Sequence, residues 1–167
     1  QGYSSAASDV YKRQVARRAQ EIKEETARIR KQALKEAARR KEEKRVANRQ
    51  AVADFAVQFV GNPYVWGGTS LTGGADCSGF TQYVFKLHGV SLNRTAAAQY
   101  SNGVAVDRVN LQPGDLVMFG KSGINHVGIY IGGGQIVHAA NPSRGVTIDT
   151  ITSGYYNNNY VGARRVM

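Results

Sequence analysis

Between Val15 and Arg49 the chain contains neither glycine nor proline, and Ala, Arg, Lys, Glu and Gln dominate the segment. These are strong helix formers, so the segment predicts one helix of about 50 Å at 1.5 Å per residue. Val15, Ile22 and Ile29 recur every seven residues, with Ala19, Thr26 and Ala33 interleaved, a thin coiled-coil seam that fails at Glu36 and Arg40. Residues 1–50 carry 15 Lys/Arg against 7 Asp/Glu, net +8, whereas residues 51–167 carry 7 against 5, net +2. The basicity belongs to the extension, and residues 15–50 read as a basic helical linker or coiled-coil stalk. Adhesion to a polyanion is the other reading. Interleaved glutamates dilute the field and no aromatic lies between Lys12 and Arg49 to stack on bases, which argues against nucleic acid. Residues 1–14 resemble translated adapter sequence and are expected to be non-native or disordered.

With 167 residues, 42% of them hydrophobic, and a formal charge of +10, the chain has room for one modest core plus this extension. Apolar runs such as Val127 to Ile131 fall far short of the roughly 18 residues a membrane span needs. The chain opens at Gln1 without a methionine or an apolar secretory segment and is expected to be processed or a fragment.

After Arg49 the texture changes. Ala51, Val52, Phe55, Ala56, Phe59 and Val60 recur at helical spacing until Gly61-Asn62-Pro63 stops the helix, which opens a folded domain over residues 51–167. A glycine-rich loop, Trp66 to Gly74, leads into a second helix from about Cys77 to His88 with Phe80, Tyr83, Val84 and Leu87 on one face and Gly89 at its C-terminal cap. Downstream, residues 116–119, 126–131, 135–139, 146–150 and 161–166 read as short strands between Gly, Pro and Asn turns. Helices first and strands later indicate an α+β fold.

Cys77 is the single cysteine, so no internal disulfide is possible and the thiol is free for chemistry. At the start of a helix, unsatisfied N–H groups and the positive dipole end favour thiolate over thiol and can hold an oxyanion. A small buried structural cysteine is the alternative. Asp76 fits the helix N-cap, and with Ser78 could also bind the polar end of a substrate. His126 opens one strand and His138 closes the next, with Gly132, Gly133 and Gly134 between them. A three-residue glycine loop pairs Ile131 with Gln135, and it or another odd number places both imidazoles on one face; a two-residue turn would separate them. Cys77, His126 and His138 then supply nucleophile, base and orienting group. Zinc is the chemical competitor, but the spacings lack a compact ligand pair and a fourth ligand. His88, beside Gly89 at a helix end, reads as structural.

The ordered set Asn62-Pro-Tyr-Val-Trp-Gly-Gly68, Asp76-Cys-Ser-Gly-Phe80, Arg94-Thr95, Gln112-Pro-Gly-Asp-Leu116, His126-Val-Gly-Ile-Tyr130 and Ile136-Val-His-Ala139 resembles the NlpC-type (p-sixty) cysteine peptidases of bacterial cell walls over about residues 51–167. The resemblance implies a papain-like α+β core of helices on an antiparallel sheet, with Cys77 as nucleophile, His126 as general base and His138 orienting it. It also implies that the Tyr64 hydroxyl helps hold the oxyanion and that Asp76 and Ser78 line the substrate groove, while Trp66 reads as packing. The implied activity is endopeptidase cleavage of peptidoglycan stem peptides between γ-D-glutamate and the diamino acid, with no metal or organic cofactor, in a secreted, wall-located protein. The basic helix lies outside the resemblance; its net +8 is what suggests a spacer held near anionic wall polymers. The rival readings are a noncatalytic wall-binding module and a papain-like amidase or acyltransferase acting on another bond.

Overall fold

The computed structural model describes residues 2–167, with side chains from Ser5 onward. The chain divides into two compact units, one reaching to Lys44 and the other running from Arg45 to Met167. Helix α1 (Gly2–Val57) supplies all of the described first unit. Residues 2–14, expected to be non-native or disordered, are helical; no glycine or proline follows Gly2 before Gly61, so nothing interrupts the helix. Gln1 lies outside the described residues. For the same reason the helix expected to start afresh at Ala51 is the end of α1. Within the first unit exposed pairs such as Arg17 to Glu21 (3.0 Å) add a few tenths of a kcal/mol each, while Ile22 and Ile29 of the seam are 61% exposed.

In the second unit the last turns of α1 carry Val52, Ala53 and Ala56 into the core. Arg49, which the sequence places on a charged stalk, is 2% exposed and donates to Gln112 Oε1 (2.9 Å) and the Met167 carbonyl (3.0 Å). A short hairpin, β1 (Thr69–Ser70) and β2 (Gly74–Ala75), precedes α2 (Cys77–Leu87). Next come α3 (Ala96–Gln99), β3 (Val104–Val106) and a 3-10 turn over residues 108–110. Five strands follow: β4 (Leu116–Phe119), β5 (His126–Gly132), β6 (Gln135–Asn141), β7 (Gly145–Thr150) and β8 (Tyr160–Arg165), with the short α4 (Gly154–Asn158) before the last. They form one six-stranded antiparallel sheet in the order β3-β8-β4-β5-β6-β7, an α+β architecture.

β4 reads as a continuous apolar run because both of its faces are covered. Leu116 and Met118 join Val127, Ile129, Val137 and Ala139 beneath Phe80, Val84 and Phe85 of α2. Val117 and Phe119 point the other way, to Ile136, Ile151 and Ala163, with Tyr156 and Tyr160 packed over them. The buried stripe of α2 is Phe80, Thr81, Val84 and Phe85; Tyr83 and Leu87, expected on that face, are exposed. β3 has no strong sequence signal: it is an edge strand three residues long, and Val104 is 64% exposed.

Candidate active site

Asp76 caps α2: its Oδ1 accepts the Gly79 N–H at 2.7 Å, and Cys77 is the first helical residue. The same carboxylate accepts both guanidinium nitrogens of Arg94 (2.9 and 2.7 Å) and the Gly67 N–H (3.0 Å). Burial alone would raise Asp76, but Arg94 and the N–H groups of Gly79 and Gly67 outweigh it and hold the carboxyl below the usual range. Asp76 therefore spends its acceptor capacity on the protein, fixing the loop before the helix and the head of Arg94. Arg94 in turn donates to Ser78 Oγ at 2.9 Å, so Asp76, Ser78 and Arg94 form one polar cluster beside Cys77.

The histidines are brought together by a two-residue turn and a bulge, in place of the expected three-residue loop. The turn is two residues, Gly133-Gly134, with Gly132 paired to Gln135. Both turn residues have positive φ (60° and 73°), as the tightest hairpin turn requires. A regular ladder from such a turn would put the imidazoles on opposite faces. Instead a bulge between Tyr130 and Gly132 leaves Ile131 as an extra residue, and beyond it Tyr130 pairs with Ile136 and Ile129 with Val137. The bulge restores the parity that the expected three-residue loop would have given. His126 Nε2 lies 2.7 Å from His138 Nδ1. His138, fully buried, has its Nε2 2.9 Å from Asp149 Oδ2 of β7. Arg144, just before β7, clamps Asp149 through both oxygens at 2.7 and 2.9 Å.

Tyr64, Asp76, Cys77, Ser78 and His126 all line one open cleft of about 1080 Å³; His138 stands behind His126. Trp66, expected to be packing, is 86% exposed on the rim of this cleft. His88 lies apart, its Nδ1 2.9 Å from the Val84 carbonyl and its ring against Phe55. Among the described residues no group of three or more His, Cys, Asp and Glu is arranged to hold a metal ion. Four residues of the site carried no assigned role from sequence: Arg94, Arg144, Asp149 and Tyr156, whose ring packs 5.8 Å from His126 and 5.0 Å from His138. Asp149 stands opposite Ile136, two residues along from His138's partner Thr147, so a register drawn through β7 would have found it.

The protonation directions correct one expectation. Burial pushes the Cys77 thiol up and the charge of Asp76 adds to it, against the N–H groups of Val127 and Ser78 that face the sulfur. Burial, with His138 alongside, pushes His126 down to about 3. Burial thus favours a neutral thiol and a neutral imidazole along this cleft, because it outweighs the helix terminus. With its pKa raised, Cys77 stays protonated until the pH climbs past the ordinary thiol range of about 8.5. Alkylation of Cys77 by iodoacetamide is therefore expected to climb through and beyond that range; a rate already flat at pH 6 would mean a thiolate–imidazolium pair instead.

Comparison with known proteins gives a match to the model of the NlpC/P60 family over residues 61–165. A γ-D-glutamyl-L-lysine dipeptidyl-peptidase of Bacillus cereus is 44% identical over 113 residues, which are 65% of this chain and 34% of that protein. The murein DD-endopeptidase MepH of Escherichia coli is 38% identical over 117 residues, 66% of this chain and 43% of the relative. The crystal structure of an NlpC/P60 family protein from Bacillus cereus superposes with a TM-score of 0.66 at 42% identity, covering 69% of this chain and 39% of that one. The chain thus spans about a third to two fifths of the length of these relatives. The helix-on-sheet core is the papain-like α+β fold of those domains, and the family match covers the loop before Cys77, the cysteine helix and the two-histidine hairpin in one ordered stretch, so the chain belongs to the NlpC/P60 family.

Proposed function

We propose that residues 45–167 form a peptidoglycan endopeptidase domain that cleaves stem peptides between γ-D-glutamate and the following diamino acid. The observation that carries this reading is the row of Cys77 and His126 on one cleft with His138 2.7 Å behind His126. A substrate amide enters with its carbonyl over Cys77. His126 takes the thiol proton as sulfur bonds to the carbonyl carbon, so no standing thiolate is needed. The oxyanion is held by N–H groups at the start of α2 and by Tyr64, whose phenol is pushed up chiefly by burial, with the charge of Asp76 nearby, and so keeps its proton to donate. The imidazolium of His126 then protonates the leaving amine as the C–N bond breaks. Water, deprotonated by the same ring, attacks the thioester and releases the acid, which regenerates the thiol. Ser78 and Arg94 offer donors to the polar end of the substrate beside the sulfur.

This reading is supported by the names of the relatives, a γ-D-glutamyl-L-lysine dipeptidyl-peptidase and a murein DD-endopeptidase. It places the protein at the bacterial cell wall as a secreted enzyme. The basic residues of the first unit, with no helix among the described residues long and apolar enough to cross a membrane, fit a spacer held near anionic wall polymers.

Digestion of a defined muropeptide by the whole chain, with products identified by mass, tests the reading. Two fragments with a new amine on the diamino acid are expected. Cleavage at a D,D cross-link would move the scissile bond to the one named for the Escherichia coli relative. No cleavage by protein whose Cys77 still alkylates would favour a noncatalytic wall-binding module.

A further inference from the structure

We propose that Asp149, clamped by Arg144, is a positioning residue that fixes the tautomers of both imidazoles and so leaves the Nδ1 lone pair of His126 free on the cleft it shares with Cys77. The inference rests on the nucleophile and base reading given above, and it begins at the far end of the row. Asp149 is held by two parallel bonds from Arg144 (2.7 and 2.9 Å), the strong fork geometry of a guanidinium on a carboxylate. Burial alone would raise Asp149, but Arg144 and His138 together hold it below the usual carboxylate range. An ionised carboxylate only accepts hydrogen bonds. The His138 nitrogen 2.9 Å away, Nε2, must therefore carry the proton.

A neutral ring protonated on Nε2 has a bare Nδ1, and burial keeps His138 neutral by pushing it down against the pull of Asp149. That bare nitrogen lies 2.7 Å from His126 Nε2, which must then be the donor. With Nε2 of His126 protonated, its Nδ1 is left bare as the basic nitrogen of the ring that shares the cleft with Cys77. With both rings neutral and Asp149 ionised, any other assignment sets two lone pairs or two protons face to face beside a ring that is fully buried, where water cannot mend the mismatch. When His126 accepts the thiol proton, the positive charge stays on its ring and is stabilised by donation to His138 Nδ1 and, behind that, by the carboxylate of Asp149. Arg144 keeps that carboxylate from taking a proton itself. The titratable and charged groups nearest the pair are Cys77 of α2, Tyr156 of α4, Asp149 of β7 and Arg144 just before β7; Tyr156 packs edge-to-face against His138, and His126 faces the cleft.

Two-bond proton–nitrogen spectra of the uniformly ¹⁵N-labelled whole chain near pH 7 read the tautomers directly. Both His126 and His138 are expected as Nε2–H rings with bare Nδ1; a His138 protonated on Nδ1 overturns the proposal, and this measurement needs no variant to fold. In Asp149→Asn the amide NH2 faces a donor whichever oxygen it replaces, Arg144 Nη2 at Oδ1 or His138 Nε2 and Arg144 Nη1 at Oδ2. Its kcat on a γ-D-glutamyl stem peptide is expected to fall between about 10- and 100-fold, with KM within about twofold and the His138 signature altered. An Asp149→Asn protein with unchanged kcat and unchanged spectra also overturns it. If the unmodified chain cleaves no stem peptide, the hydrolase reading fails, and the spectra still decide the tautomer claim on their own.

Discussion

Cys77→Ala is expected to abolish stem-peptide cleavage, a fall of at least about 10⁴-fold in kcat, while leaving the fold in place. Without the sulfur no covalent intermediate can form, and the remaining N–H groups and Tyr64 can only polarise a carbonyl for direct attack by water. The structural effect is small because the side chain is small: at 9% exposure, removing one sulfur from the core should cost about 1 kcal/mol, a few degrees in Tm. Circular dichroism and a melting curve separate these two effects. The nucleophile and its base act as a unit, so Cys77→Ala combined with His126→Ala should lose no more activity than Cys77→Ala alone. Activity in Cys77→Ala above about 1% of the unmodified level would remove the sulfur from the mechanism, since no residual pathway of this kind is that fast.

The parts of this site that could be read from sequence are those whose signal is local. The N-cap aspartate, the cysteine at the first helical position and the histidine-bearing strands follow from residue type and short-range period, and the structure places Asp76, Cys77, His126 and His138 together. The turn length failed because glycine permits several conformations at once. Three consecutive glycines allow a three-residue loop as readily as a two-residue turn followed by a bulge, and only the packing of the strand decides. The protonation of Cys77 reads differently from sequence and from structure: position at a helix start is visible in sequence, but burial of the sulfur is not, and burial is the larger effect. Asp149 and Arg144 carry no motif, and their role exists only through the β6–β7 register. Arg49 looked like one more charge on a stalk because no helix breaker separates the stalk from the domain; its burial depends on the chain's far end, the Met167 carbonyl.

Asp115→Ala is expected to destabilise the second unit by about 3–5 kcal/mol and lower its Tm by roughly 10–25 °C, without touching the chemistry at Cys77. Asp115 closes the Gln112-Pro-Gly-Asp turn that feeds β4, and it is fully buried. Its carboxylate accepts Arg165 Nε (2.8 Å), Arg165 Nη2 (2.8 Å) and the Gln112 N–H (2.8 Å). The arginine ends β8, the neighbour of β4, so the pair ties the turn to the sheet at the point where Leu116 registers with Arg164. Gly114 in the same turn has φ of +88°, and a Cβ there would come within 2.6 Å of the Arg49 carbonyl oxygen, so the turn also seats the last turns of α1. Alanine at 115 strips the carboxylate from a guanidinium only 22% exposed and orphans the Gln112 N–H. Asp115→Leu with Arg165→Met removes both charges together, and should recover most of the loss, because a buried ion pair is worth little against apolar side chains of similar volume. Recovery in the double variant, with kcat per folded molecule within about twofold throughout, would assign this motif to holding β4 and β8 in place. A double variant as unstable as Asp115→Ala would mean instead that the hydrogen bond to the Gln112 N–H, and not the ion pair, sets the turn.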